Sequence, residues 1–351
     1  MTIDELRTLV RKWDAQNTGS PVAISHYGTI LSELDHHATK EWRVYLPAEH
    51  PDYNISYMER LAAWIGNLTD EADQKLLLDY ALYINFFSHD DFIALYHTAL
   101  NREVTRWVVS QVGARLEPRG GQALDKIVHD EIHRRTWFCP VTDSMDINEF
   151  YKVNHLSGVG HRPCFSTLQM TAEHPTKPNH QTATDWISYM ANPEPSFPAV
   201  PSLERLVLLE DIVGSSAQCL SAVRWAVNNL GKPILFVPLI LCPNGAKALR
   251  LEEQDSNGRL TVRPVIELRS SDLLGPNRPP QQGWEKAEEV EELARRCDAS
   301  IRFSYEPFGY QSTGCSLVTF ANTPDNTLPI IHDQPVTGNW RPLFPRVRRD
   351  S

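Results

Sequence analysis

A short stretch near the middle of the chain constrains the fold most. Its sequence, LVLLEDIVGSSAQCLSAV, covers residues 206–223 and begins with an apolar run that is typical of a buried strand in a parallel sheet. Two acids, Glu210 and Asp211, follow directly, and a loop of small residues then leads into a helical pattern at 217–229. This order indicates an α/β sheet, and we expect both acids to be exposed at the carboxyl end of its central strand.

The loop after the acids carries groups that suit a phosphate. Gly214, Ser215 and Ser216 offer backbone N–H groups and two hydroxyls. Ala217 and Gln218 begin the predicted helix, whose dipole places positive charge at this end. Because carboxylates suit a diol, the segment as a whole predicts a site for a ribose 5-phosphate. A purely structural interpretation stays open, in which the acids cap the next turn and the serines cap the helix.

The rest of the chain divides into two regions. Residues 1–135 carry apolar residues at three- and four-residue intervals, which predicts successive amphipathic helices. Residues 136–351 carry short β-rich runs between loops, which predicts an α/β sheet domain. The helices are predicted at 3–13, 26–46, 57–68, 71–86, 90–100, 102–115, 121–135, 217–229 and 285–297, and the strands at 165–170, 206–209, 234–242, 260–268, 300–305 and 316–321.

Composition and charge exclude several classes of protein. The 351 residues are 41% hydrophobic, which is enough for a substantial core, and a net charge of −10 argues against a general nucleic-acid surface. The longest apolar run, 234–242, is broken by Pro238 and is too short to span a bilayer. We therefore expect a cytoplasmic protein without membrane contact. The basic residues Arg346, Arg348 and Arg349 leave a local contact with a phosphate backbone open.

Metal-ligand spacing is weak throughout the sequence. The six cysteines form no C-x-x-C pair, so reduced thiols are expected. His129 and His133 lie four residues apart on a predicted helix, but Asp130 stands where a zinc metalloprotease has glutamate, and no third ligand is obvious. The sequence therefore predicts no metal site made by the chain itself.

Three segments carry a resemblance to a known family. EDIVGSSAQ, residues 210–218, resembles the ribose-phosphate loop of the type I phosphoribosyltransferases and looks closest to the phosphoribosyltransferase-like proteins of bacterial conflict, or anti-phage defence, operons. Residues 57–100 resemble the helical region of that group, and 322–332 with 339–346 resemble its closing signature. The resemblance implies an all-helical N-terminal region, 1–135, followed by a type I phosphoribosyltransferase-like α/β sheet domain, 136–351.

The resemblance also implies a chemistry at the anomeric carbon of phosphoribosyl pyrophosphate. Glu210 and Asp211 would contact the ribose hydroxyls, where carboxylates stabilise an oxocarbenium-like cation. Residues 214–218 would hold the 5-phosphate, and magnesium would bridge the pyrophosphate oxygens of phosphoribosyl pyrophosphate or of a nucleotide.

The pyrophosphate-binding loop of such a protein should lie upstream of the acids. Our candidate is HLSGVGHRP, residues 155–163, in which Ser157 and Gly158 allow a tight turn with free amides and Arg162 supplies a cation. An ordinary glycine-rich turn is the alternative interpretation of this segment.

The phosphate loop departs from that of the active transferases at two places. Ser215 and Ser216 stand where the enzymes usually have a Thr-Gly pair, and Gln218 stands where they usually have Thr or Ser. A Cβ at position 216 disfavours a left-handed backbone. Three functions stay open: a defence-system component that binds a nucleotide or sugar phosphate and reports it to protein partners from the same operon, an active N-ribosyl transferase or nucleotide N-glycosidase, and a structural subunit of a defence complex.

Overall fold

A computed structural model describes residues 1–16, 26–42, 55–113, 121–156, 163–174, 176, 180–191, 203–301, 306–333 and 340–347. The chain forms two compact units, of which one combines Met1–Phe92 with Arg269–Ser351 and the other is Ile93–Leu268. The predicted division into 1–135 and 136–351 follows secondary structure rather than compactness, and it stays a prediction.

The described residues form helices along most of the chain and seven strands, which are numbered here in chain order. The helices are α1 (Ile3–Gln16), α2 (His26–His36), α3 (Tyr57–Ile65), α4 (Glu71–Tyr83), α5 (His89–Thr98), α6 (Thr105–Gly113), α7 (Gly121–Arg135), α8 (Ile147–Val153), α9 (Phe165–Ala172), α10 (His180–Ala191), α11 (Leu220–Leu230), α12 (Pro243–Asp255), α13 (Ala287–Ile301) and α14 (Pro329–His332). The strands are β1 (Asn85–Phe87), β2 (Thr136–Pro140), β3 (Arg205–Val213), β4 (Ile234–Leu241), β5 (Leu260–Val262), β6 (Ile266–Glu267) and β7 (Leu317–Thr319).

The unit Ile93–Leu268 is built around a parallel sheet of five strands in the order β2-β3-β4-β5, with β6 also paired to β4. Strands β3 and β4 are central because each has neighbours on both sides. The side chains of β4 are buried throughout, which explains its continuous apolar sequence ILFVPLIL. The predicted fold class, a helical amino-terminal region followed by an α/β sheet domain, is confirmed.

The other unit is held together by aromatic residues on helices. Trp13, Trp64 and Tyr80 are fully buried and belong to one hydrophobic cluster with side chains of α13 and α14. A small parallel sheet of β1 and β7 joins the amino-terminal and carboxyl-terminal parts of this unit. The Tyr80 hydroxyl contacts the Ser316 hydroxyl at 2.7 Å, so the buried polar group beside this sheet is satisfied.

Two predicted strands differ from the structure. Residues 165–170 lie in helix α9, in which Phe165 and Leu168 are buried three residues apart and so form one helical face. Of the predicted strand 300–305, residues 300–301 end helix α13 and the rest lies outside the described residues. Strand β2 was not predicted. The predicted helix 71–86 is too long at its end, because α4 ends at Tyr83 and residues 85–86 belong to strand β1. No helix of the described part of the chain is long and apolar enough to cross a membrane.

Candidate functional site

The two acids lie inside strand β3 rather than beyond its end. The ladder between β3 and β4 continues past Glu210 and Asp211 as far as the pair Val213 and Leu241. Glu210 is only 4% exposed and Asp211 is half-buried, so the prediction that both acids are exposed is wrong for Glu210. The apolar residues Ile212 and Val213 after the acids extend the strand, so that Glu210 lies within the sheet and is buried.

The turn after β2 covers Glu210. Strands β2 and β3 are parallel neighbours with Pro140 opposite Leu209, which brings the residues after β2 beside the acids. The Thr142 backbone N–H donates to Glu210 Oε2 at 2.9 Å, and the Thr142 hydroxyl donates to Glu210 Oε1 at 2.5 Å. Both carboxylate oxygens of Glu210 are therefore hydrogen-bonded within the protein.

A second hydroxyl in this turn, that of Ser144, joins the two acids. Ser144 Oγ donates to Asp211 Oδ1 at 2.8 Å, and its distance to Glu210 Oε1 is 3.3 Å. The Ile212 N–H also donates to Asp211 Oδ1, at 2.7 Å. Among the described residues, both of the other groups that donate a hydrogen bond to Asp211 donate it to Oδ1. Oδ2 is therefore the oxygen of Asp211 that is suited to accept a hydrogen bond from a ligand.

Burial controls the protonation of the pair. Removal from water raises the pKa of Glu210 to about 8, and the negative charge of Asp211 acts in the same direction. Burial likewise raises the pKa of Asp211 from its usual value, and the charge of Asp143 adds to this. At neutral pH the site therefore carries less than the two charges that a pair of free carboxylates would have.

The predicted phosphate loop follows β3 directly. Ser216 adopts φ +69° and is buried, although the sequence predicts that its Cβ disfavours this left-handed backbone. The carbonyl of Ser216 accepts the N–H of Leu220 at 2.8 Å, and helix α11 begins at Leu220 instead of the predicted Ala217. Ala217 and Gln218 therefore lie in an exposed turn before the helix.

Helix α12 supports this loop from the neighbouring strand connection. The N–H of Gly245 donates to the carbonyl oxygen of Gly214 at 2.9 Å, and the N–H of Cys242 donates to that of Val213 at 2.8 Å. Ser215 Oγ accepts the N–H of Ala217 at 3.4 Å. The loop is thus fixed at its start by backbone contacts, while its exposed turn is available to a ligand.

Replacing Ser216 with glycine should stabilise the protein. A left-handed backbone costs a residue with a Cβ roughly 1–2 kcal/mol, and glycine loses about 0.5–1 kcal/mol through its freer unfolded state. We expect a net gain of about 0.5–1 kcal/mol in the free energy of unfolding, measured by urea denaturation. Ser216→Ala is the matched control, since it removes the hydroxyl but keeps the Cβ. Equal stabilisation by both variants would contradict the backbone explanation.

The sequence singled out two other groups of candidate residues. Ser157, Gly158 and Arg162, the predicted pyrophosphate loop, lie outside the described residues. The imidazoles of His129 and His133 stack with 4.0 Å between their centroids, and burial lowers the pKa of His133. No group of three or more His, Cys, Asp or Glu side chains in the described ranges is placed to hold a metal ion.

Thr142 and Ser144 are the site residues that the sequence did not single out. Their segment, TDS, carries no motif. It lies beside the acids because β2 pairs with β3, and the hydrogen bonds to the acids join residues that are 66 to 68 positions apart in the sequence. An apolar run followed by hydroxyl residues, WFCPVTDS, was the available signal.

Comparison with known proteins gives one match. Residues 61–346 match the model of the family described as PRTase-CE, a range that includes the acids, the loop after β3 and the turn after β2. The chain matches no curated protein and no solved structure.

Proposed function

Because this chain belongs to the PRTase-CE family and is a phosphoribosyltransferase-like protein, we propose that it is a component of a bacterial anti-phage defence system. In this proposal it binds phosphoribosyl pyrophosphate or a nucleotide at Asp211, Glu210 and the loop 214–218. The observation that carries the proposal is the adjacency of the acid pair, which lies on β3, and the loop that directly follows this strand. The carboxyl ends of parallel strands are where open α/β sheets bind their ligands.

The two acids have unequal roles in this proposal. Asp211 is half-buried and its Oδ2 is suited to accept a hydrogen bond from a ribose hydroxyl. Glu210 is buried and its two oxygens are already hydrogen-bonded to Thr142. In this proposal Glu210 does not contact the ligand. It influences the charge of Asp211 through its own charge or its proton.

The loop supplies the phosphate end of the proposed site. Ala217 and Gln218 are exposed, and their turn leads into α11, whose first turn carries the positive end of the helix dipole. Ser215 contributes a hydroxyl beside them. A 5-phosphate held here would lie near a ribose at Asp211, because only Ile212, Val213 and Gly214 separate Asp211 from Ser215 in the sequence.

Magnesium enters the proposal with the ligand. The described residues contain no cluster of three or more metal-binding side chains that could hold the ion without the ligand. Three of the four carboxyl oxygens of the acid pair already take part in hydrogen bonds within the protein. We therefore propose that magnesium is held by the pyrophosphate oxygens of the ligand, whose charge it neutralises.

Binding without turnover is the form of the proposal that the loop favours. Ser216 and Gln218 replace residues that the active transferases use around the phosphate. A sensor of this kind would report its ligand to protein partners encoded in the same operon. The competing functions are an active N-ribosyl transferase or nucleotide N-glycosidase, and a structural subunit of a defence complex.

Calorimetry with phosphoribosyl pyrophosphate, AMP, ATP and NAD tests the binding function. We expect heat with at least one of them, with weaker binding of pyrophosphate-containing ligands when EDTA removes magnesium. Ligand at 100 times its dissociation constant should add about 2.7 kcal/mol to the free energy of unfolding. Adenosine, which lacks the phosphate, is the control and should bind poorly.

The same experiment separates the three functions. Heat without pyrophosphate release or base loss supports the sensor, and release of either product supports the enzyme. Absence of heat and of any thermal shift with all four ligands would leave the structural subunit.

A further inference from the structure

Four oxygen atoms form a continuous chain between the two acids. Glu210 Oε1 lies 2.5 Å from Thr142 Oγ1, Thr142 Oγ1 lies 2.7 Å from Ser144 Oγ, and Ser144 Oγ lies 2.8 Å from Asp211 Oδ1. Each of these distances is that of an O–H···O hydrogen bond. The acids are thus linked through two side-chain hydroxyls.

Counting hydrogens shows what this chain requires. Three hydrogen bonds in a row need three hydrogens, and the hydroxyls of Thr142 and Ser144 supply one each. Two oxygens at these distances without a hydrogen between them would repel each other through their lone pairs. The third hydrogen must therefore lie on a carboxyl group, at one end of the chain or the other.

We propose that Glu210 and Asp211 together hold one proton and that Thr142 and Ser144 form a hydroxyl relay between them. The site then presents a single negative charge. Thr142 and Ser144 are positioning residues in this arrangement, because they orient the carboxyl groups and set which of them carries the proton.

Burial decides where the proton resides in the ligand-free protein. Glu210 is almost fully buried whereas Asp211 is half-buried, so the proton stays on Glu210 and the charge stays on Asp211, facing the ligand. In this state Glu210 Oε1 carries the hydrogen and donates to Thr142 Oγ1, Thr142 donates to Ser144 Oγ, and Ser144 donates to Asp211 Oδ1. The Thr142 hydroxyl donates to Glu210 Oε1 only when Glu210 is ionised.

The neighbouring titratable groups favour retention of this proton. The charge of Asp143, in the turn after β2, acts on Asp211. Cys219, just before α11, faces Glu210, and burial together with the charge of Glu210 raises the pKa of this thiol, so the thiol is neutral. Tyr96 interacts with Asp211 and also with Asp146 and Glu149 at the start of α8. Each of these groups is neutral or negative, so none of them stabilises a second negative charge on the pair.

The relay can also reverse. The Glu210 proton passes to Thr142 Oγ1, the Thr142 proton to Ser144 Oγ and the Ser144 proton to Asp211 Oδ1, which leaves Glu210 charged and Asp211 neutral. No atom is gained or lost in this step. Its use rests on the proposed function: Asp211 can accept from a ribose hydroxyl in one state, and the buried glutamate can hold the charge in the other.

Infrared spectroscopy of the ligand-free protein tests the shared proton directly. At pH 7 the wild-type spectrum should contain a protonated carboxyl band that Glu210→Gln removes. Glu289→Gln, at an exposed position of α13, is the control and should leave the band in place. Asp211→Asn should keep the band at low pH. As the pH is raised, the band should disappear at a lower pH than in the wild type, because the Asp211 charge that raises the pKa of Glu210 is gone.

Thermal unfolding gives an independent test of the same proton. Since the pKa of Glu210 is raised on folding, the folded state binds more protons between the ordinary glutamate pKa and about 8, and stability should fall as pH rises through this window. We expect the wild-type Tm to decline between pH 5 and 8 more steeply than that of Glu210→Gln. Equal slopes, or a wild-type spectrum with no protonated carboxyl at pH 7, would overturn the proposal.

Variants of the turn test the relay. Thr142→Val should shift the carboxyl band of Glu210, because its hydrogen bond is lost, and Thr142→Ser should restore it. Ser144→Ala should break the hydroxyl chain between the acids, so that Asp211→Asn changes the pH at which the band disappears by less than it does in the wild-type background. The remaining change comes from the charge repulsion, which acts through space. An unshifted band in Thr142→Val would contradict the relay. All these measurements use ligand-free protein, so their failure is distinct from a failure to bind a ribose 5-phosphate.

Discussion

Replacing Asp211 with asparagine should weaken the binding of phosphoribosyl pyrophosphate or nucleotide by roughly 10- to 100-fold. Hydrogen bonds to charged groups contribute about 1.5–3 kcal/mol, and each 1.4 kcal/mol is tenfold in affinity. Asparagine keeps an oxygen that can accept from Ser144 and Ile212 at the Oδ1 position. The amide group then stands at the Oδ2 position, where it donates to a ribose hydroxyl instead of accepting from it.

Calorimetry of Asp211→Asn against the wild type measures this loss. The matched control is Asp255→Asn, an exposed position on α12 of the same unit, which should bind as the wild type does. Unchanged affinity combined with lost turnover would favour the enzyme, since a carboxylate that acts only on developing charge affects the transition state alone. Unchanged affinity in a protein without turnover would remove Asp211 from the site.

A phage infection assay extends this prediction to the defence role. Phage should form fewer plaques on cells that carry the wild-type gene with its operon neighbours than on cells that carry the Asp211→Asn variant. The Asp255→Asn control should protect cells as the wild type does. Equal protection by wild type and Asp211→Asn would separate the defence role from the ribose site, and would favour the structural subunit.

The sequence predicted the strand, the acids and the loop because their signals are local. An apolar run, two acids and a small-residue turn into a helix lie within 206–223 and need no distant partner to be recognised. The burial of Glu210 was not predictable in this way. It depends on the register of β2 against β3, which places Thr142 beside Glu210 from 68 residues away.

The end of β3 was misjudged for a related reason. Acids usually mark the end of a buried strand, but Ile212 and Val213 continue the ladder with β4. The sequence predicts a strand at residues 165–170, where helix α9 lies, because a run of six residues does not distinguish the helical period from the strand period. The burial of Phe165 and Leu168, three residues apart, identifies the helix. Local pattern thus predicted the candidate site, while the pairing of β2 with β3 determines which carboxyl oxygens of the acids are hydrogen-bonded within the protein.

Replacing Gly245 with alanine should disrupt the phosphate loop without touching a ligand. An added Cβ would lie 2.8 Å from the carbonyl oxygen of Gly214 and 2.9 Å from Val213 Cγ1. The Gly214 carbonyl accepts the N–H of Gly245 itself, so it cannot turn away without losing that hydrogen bond. The loop must therefore shift, and we expect a loss of about 1–3 kcal/mol in the free energy of unfolding and a drop of roughly 10-fold in ligand affinity.

Gly113→Ala is the control that isolates the contact with the loop. Gly113 also lies in a helix, α6, but an added Cβ there would meet no atom of the described residues within 4 Å. Alanine is the better helix former by about 0.8–1 kcal/mol, so Gly113→Ala should be neutral or stabilising, while Gly245→Ala loses stability despite the same gain. If Gly245→Ala bound phosphoribosyl pyrophosphate and nucleotides as the wild type does while its unfolding free energy fell, the position of Gly214 would not matter to the ligand. The phosphate would then have to lie further along the turn, at Ala217 and Gln218.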